Sequence, residues 1–381
     1  MNKKLISALI AITLSLPTTA FAAGLQNRTG STPAVAILDT AIDTTLPAFQ
    51  GKIVQEVCIL EWTTCPNGKS FMEGAGAASM PSGLITVNGF DHGTFMSSVF
   101  VKTNPNVNIV FIKIIGNTAA GMRQNAGEAA VYNALNWVKA NASKYNIQAV
   151  TMSQGMHNLG PAGTDYCPKT PTTVQSVKDL VAMGIPTFFP SGNGRDYLRI
   201  DWPACIEDSV SVGHVDQQNE ISVASNNDTS RLDFFAPGFF SVAGPGNVVK
   251  NISGSSAAIQ FAGAQWISLK SSKPTWTYDQ LLQALKATSS STIGRQGTFK
   301  KLININQALA YSFAPSGPTA AEIAAQKAAA DAAAKLAAQA ALKAEIDKAI
   351  AVAQAEYDAT VKAAADKLSA YKAAQLARLN G

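Results

Sequence analysis

The sequence predicts an α/β protein built on a mainly parallel sheet, followed by a long Ala-rich C-terminal helix. Two observations carry this expectation. Up to Phe313, short apolar runs alternate with helical patterns, as expected of strands that crossing helices bury on both faces. After APSGP (residues 314–318) the composition turns to Ala with Lys, Glu and Asp, and neither Gly nor Pro recurs before Gly381.

Residues 1–23 read as a secretory signal: Lys3 and Lys4, an apolar stretch over 5–16, and the small-x-small site Ala20-Phe21-Ala22. The apolar stretch is too short for a membrane span, and no later stretch is long and apolar enough to be one. The expected location is therefore secreted or periplasmic, from a bacterium. Residues 24–33 alone separate the cleavage site from the first expected strand. Residues 24–314 are expected to form one globular domain, 315–318 a linker and 319–381 a helical arm.

Strands are expected at 35–38, 107–115, 149–152, 185–189 and 210–215, and amphipathic helices at 127–142 and 173–182. Ligands of such sheets bind beyond the carboxyl ends of the strands, and Asp39 stands at one of these ends. The even set of cysteines, Cys58, Cys65, Cys167 and Cys205, suits an oxidising compartment. The close pair Cys58–Cys65 is the preferred loop staple, leaving Cys167 for Cys205; no C-x-x-C or nearby His supports a metal site instead. A net charge of +5 spread over 381 residues gives no case for nucleic acid.

Chemistry is concentrated in a few stretches. SGSSAAIQFAG, from residue 253, reads as a turn feeding a helix with a hydroxyl at its N-terminus, where free backbone N–H groups favour developing negative charge. The same pattern is an ordinary helix cap. Of the three histidines, His92 opens a helix in DHGT, which favours a neutral base. His157 lies in a Gly-rich loop, and His214 in a strand as a structural group.

AVAILDTAID from residue 34, DHGT from 91, PSGNG from 190 and the stretch from 253 occur in the order Asp, His, Asn, Ser. This set resembles the subtilisin-like serine proteases, the subtilases (peptidase family S8), over about residues 33–310. AVTMSQG from residue 149 and the pair SVGHVD and LDFFAPG, from 211 and 232, agree with it. The resemblance implies the subtilisin-like three-layer fold and a secreted endopeptidase that cleaves polypeptides through an acyl-enzyme. It implies Asp39, His92 and Ser255 as the triad and Asn193 as oxyanion donor. Ser153, Gln154, Gly155, Ser191 and Gly192 would bind substrate.

The nucleophile's register has two solutions. The family's Gly, two residues before its serine, selects Ser256, whereas alignment from the helix side through Ala257, Phe261, Ala262 and Gly263 selects Ser255. A deletion inside a helix would rotate every later residue by about 100°, so Ser255 is preferred and Ser256 is the alternative. Ala41, Phe95 and Ile259 depart from the usual Gly, His and Pro. Calcium often accompanies the family's fold; no ligand loop is legible here, so no metal site is assigned and no cofactor is expected. A catalytically weak or inactive subtilase-fold binding protein acting through its helical arm is the alternative class. An α/β-hydrolase esterase is excluded by the order of the triad and the lack of G-x-S-x-G.

The arm begins with Pro318 and a capping-box pattern, Thr319 with Glu322. A continuous helix there would extend roughly 90 Å. Ile346, Tyr357, Leu368 and Leu379 recur every eleven residues, a period that keeps one stripe aligned on a nearly straight helix. The stripe suits either a solvated spacer or association with itself or a cell-surface partner.

Overall fold

The computed structural model describes residues 32–87, 89–118, 121, 123–157, 167, 170–228, 230–313 and 320–379. The signal segment, the linker 315–318 and Thr319 lie outside the described residues. The chain divides into two compact units, Met1–Tyr311 and Ser312–Gly381.

The first unit runs β1 (Ala34–Asp39), β2 (Ile53–Ile59), β3 (Phe71–Glu73), α1 (Ser82–Val87), α2 (His92–Thr103), β4 (Asn108–Lys113), α3 (Glu128–Tyr145), β5 (Ile147–Met152), α4 (Pro171–Ala182), β6 (Thr187–Pro190) and β7 (Val210–Val215). It continues with β8 (Phe234–Pro237), β9 (Phe239–Ala243), β10 (Val249–Ser253), α5 (Ser255–Ser272), α6 (Tyr278–Thr288), β11 (Ser290–Gly294), β12 (Gly297–Leu302) and α7 (Ile305–Ala310). The main sheet has the order β11-β12-β8-β7-β6-β5-β1-β4-β2-β3. Pairing is parallel from β2 across to β12, and only the edge strands β3 and β11 pair antiparallel.

Every residue of β1 is buried, as expected for a central strand covered on both faces. Its side chains alternate between two cores. Ala34, Ala36 and Leu38 join Val131, Leu135 and Val138 of α3. Val35 and Ile37 join Ala258, Ala262 and Ile267 of α5. Helices α3 and α4 thus cover one face and α2 and α5 the other. The chain adds β4 on one side of β1 and then crosses to add β5 on the other. That reversal opens a crevice beyond the carboxyl ends of the strands.

The antiparallel hairpin of β9 and β10 delivers the chain directly into α5. Cys58 is bonded to Cys65 and Cys167 to Cys205, the pairing expected from spacing. In the second unit, α8 (Ala320–Leu379) is one continuous helix, and Lys343 pairs with Asp347 one turn on at 2.7 Å. No described helix is long and apolar enough to cross a membrane.

Candidate active site

Asp39 ends β1 with no solvent exposure. Its Oδ1 accepts from the Thr40 amide at 2.7 Å and from Gln154 Nε2 at 3.0 Å. His92 Nδ1 lies 2.8 Å from Oδ1 and 3.0 Å from Oδ2. Burial pushes the Asp39 carboxyl up. The imidazole beside it, the charge of Arg123 and the Thr40 amide together outweigh burial and hold it below its ordinary value. An ionised carboxylate accepting from Nδ1–H fixes the tautomer that leaves Nε2 bare.

The His92–Asp39 approach depends on Gly93, which follows the imidazole in the first turn of α2. A Cβ there would lie 2.5 Å from the Ala41 carbonyl oxygen and 2.6 Å from the Phe111 ring. Its N–H also donates to Thr40 Oγ1 at 3.0 Å. The sequence His-Gly-Thr is therefore a steric requirement for laying α2 on the end of β1.

Gly254 performs the matching task at α5. Its φ of 150° is a backbone state that L side chains rarely adopt, and a Cβ there would lie 3.2 Å from Asn193 Nδ2. Ser255 and Ser256 then form the first turn of the helix, where consecutive side chains point about 100° apart. Ser255 is fully buried. Its N–H and hydroxyl both donate to Asn193 Oδ1, at 3.0 and 3.1 Å. Because the backbone N–H can only donate, Oδ1 is the end of the Asn193 amide held against the helix, which leaves Nδ2 as its free donor end.

Ser256 is partly exposed. It lines two cavities shared with His92 and Asn193, of about 350 and 270 Å³. Its hydroxyl donates to the Ser153 carbonyl at 3.3 Å, while Ser153 Oγ donates to the Ser256 carbonyl at 3.0 Å. The larger cavity has an apolar wall of Phe95, Met96, Ile252 and Ala257. The smaller is polar and includes Arg123, Gln154 and Asp201.

The structure thus brings Asp39, His92, Asn193 and Ser256 around one crevice, with Ser153, Gln154, Gly155, Gly192 and Ser255 on the smaller cavity. Ser191 lies behind that wall, fully buried, with its Oγ 3.5 Å from Ser225 Oγ. The three departures from the expected pattern are absorbed by packing. Phe95 packs with Met96, Val99 and Val242, Ala41 is buried beside Gly93, and Ile259 joins the core under α5. The described residues hold no group of three or more His, Cys, Asp or Glu placed to bind a metal ion.

A sequence model of the subtilase family (peptidase S8) matches residues 30–307. The chain belongs to the subtilase family. Its subtilase part is similar to subtilisin amylosacchariticus of Bacillus subtilis subsp. amylosacchariticus, 24% identical over 298 residues, covering 74% of this chain and 67% of that protein. Subtilisin of Bacillus pumilus is 24% identical, with 74% and 93% covered. Among solved structures, a cold-adapted subtilisin-like serine proteinase has a TM-score of 0.55 at 21% identity, covering 76% of this chain and 92% of that one. The prenylagaramide maturation protease PagA has a TM-score of 0.55 at 17% identity, with 75% and 95% covered. The fold is the subtilisin-like one, and membership makes this chain a serine-type peptidase in general class.

Sequence reading missed Arg123 and Asp201, and it gave Gln154 no part beside the Asp39–His92 pair. Arg123 Nη2 donates to Gln154 Oε1 at 2.5 Å, and Gln154 Nε2 in turn donates to Asp39. No local motif marks these residues; the segments that follow β4, β5 and β6 assemble them.

Proposed function

We propose that the chain is an exported serine endopeptidase in which Ser256, not the neighbouring Ser255, is the nucleophile. The observation that carries this reading is the division of labour between the two serines. Both serines line the smaller cavity with His92, but Ser255 is fully buried and spends both its donors on Asn193, whereas Ser256 is partly exposed and alone of the two also lines the larger cavity with His92. Register therefore follows the glycine, two residues before the reacting serine, and not the helix side.

In the proposed reaction the peptide carbonyl lies between Ser256 and Asn193. Rotation about χ1 releases the Ser256 hydroxyl from the Ser153 carbonyl and turns it to His92. His92 Nε2 takes the hydroxyl proton as Oγ attacks, and buried Asp39 stabilises the imidazolium. The oxyanion accepts from Asn193 Nδ2–H and from the Ser256 amide at the N-terminus of α5, where backbone N–H groups lack intrahelical acceptors. His92 then gives the proton to the leaving amine. Water, activated by the same imidazole, hydrolyses the acyl-enzyme. The polypeptide leaving group would occupy the cavity walled by Phe95 and Met96, and the acyl side the cavity between segments 153–155 and 190–192. Export rests on the signal-like residues 1–23.

The test is hydrolysis of denatured casein by purified protein beside its His92→Ala and Asp39→Asn variants. The reading requires cleavage by the parent and its loss in both variants. A folded parent that leaves casein intact would refute it.

A further inference from the structure

Asp201 stands where the two walls of the smaller cavity meet. Its backbone N–H donates to the Ser191 carbonyl at 2.8 Å, tying it to the segment that carries Gly192. The next residue, Trp202, exchanges backbone hydrogen bonds with Met156 at 2.9 and 3.0 Å, tying it to the segment that carries Gly155. The carboxylate reaches under Gly192, where a Cβ would lie 2.1 Å from Asp201 Oδ2. Oδ1 is held by Asn226 Nδ2 at 3.0 Å and faces His157 Nδ1 at 3.1 Å. The side chain is 16% exposed and lines the cavity that contains His92 and Ser256.

Among its described lining residues the cavity also holds Arg123, and the locations of the two charges decide the sign that a ligand meets. Arg123 is joined to Gln154, and its charge acts on Asp39, so it belongs to the His92 end. Asp201 belongs to the floor between the walls. An apolar side chain driven onto that floor would desolvate a carboxylate without replacing its water, and an acidic one would add repulsion. A guanidinium or ammonium on a flexible stem would pair with it in charge-assisted hydrogen bonds while its methylenes lie along Gly155 and Gly192.

We infer that Asp201 sets the substrate class, selecting Lys or Arg as the residue on the acyl side of the scissile bond. The inference rests on the peptidase reading above and goes beyond it in naming the substrate.

The experiment uses full-length protein and chromogenic peptides identical except for Arg, Lys, Leu or Glu at that residue. Arg and Lys peptides should exceed the Leu peptide at least tenfold in kcat/KM, with Glu slowest. Asp201→Asn, which keeps the shape of the side chain, should lower the Arg-to-Leu and Lys-to-Leu ratios of kcat/KM at least tenfold. A parent that prefers Leu to Arg overturns the inference even if the variant fails to fold. So does an Asp201→Asn enzyme with an unchanged Arg-to-Leu ratio. Active-site titration with a fluorophosphonate separates the two levels: a protein that titrates yet lacks the preference refutes the pocket alone, and one that neither titrates nor cleaves refutes both.

Discussion

Exchanging each of the adjacent serines for alanine tests the reading of the site with a large dynamic range. Ser255→Ala removes one of two donors to Asn193 Oδ1 and leaves the backbone N–H at 3.0 Å. A net hydrogen bond is worth about 0.5–1.5 kcal/mol. If all of that loss fell on the orientation of the Asn193 amide, kcat would drop only about 2- to 13-fold. Ser256→Ala removes the attacking oxygen itself, a loss on the order of 10⁶-fold for a triad serine. The assay is kcat at saturating chromogenic peptide, with near-UV circular dichroism confirming that both variants fold. The expected separation is about five orders of magnitude, with Ser256→Ala the inactive member. The reverse order would show that Ser255 attacks and that its contact with Asn193 is broken on binding substrate. Equal, small losses would refute a serine nucleophile at this turn.

Asn193→Ala should lower kcat roughly 10²- to 10³-fold with KM little changed, because the amide bonds the oxyanion and not the ground state; unchanged kcat would place the oxyanion elsewhere. Burial of His214 in β7, against a smaller opposing effect of Asp216, pushes its imidazole down to about 4. The unfolded chain therefore binds the extra proton between its ordinary value of 6.5 and about 4, and stability should fall as pH drops through that window, by roughly 3 kcal/mol at most. Thermal melts of the parent and His214→Asn across pH 7 to 4 check this; an equal slope in both would refute it. A chain ending at Pro315 should keep its peptidase activity and melting temperature, since every candidate reacting group precedes it, and should differ mainly in hydrodynamic radius. Lost folding on truncation would show that the arm completes the core. If the stripe of Ile346, Tyr357 and Leu368 is used for self-association, sedimentation of the full chain, but not of the truncated one, should depend on concentration.

Much of the fold was legible because central strands carry a strong signal. Six consecutive buried residues in β1 and in β7 leave little room for another assignment. The peripheral strands were harder to read. β10 and β12 are partly exposed, β10 with Lys and Asn and β12 with two Lys among few large apolar groups, so their pairing depends on neighbours and not on pattern. Asp39, His92 and Asn193 stand in short motifs visible along the chain, and the structure brings the three together. The division between Ser255 and Ser256 was not legible, since alignment along the chain does not report how far each of two residues about 100° apart is exposed to a cavity. Asp201 was invisible for a different reason. It reaches the site through the Trp202–Met156 backbone pair, which joins segments distant in sequence.

The central claim is most directly tested by labelling purified protein with a fluorophosphonate and locating the adduct by mass spectrometry. Digestion at Lys250 and Lys270 leaves both serines in one peptide, so fragmentation must assign the adduct between them. The account predicts one adduct, on Ser256, absent from His92→Ala. An adduct on Ser255, or none on a folded sample, would contradict it.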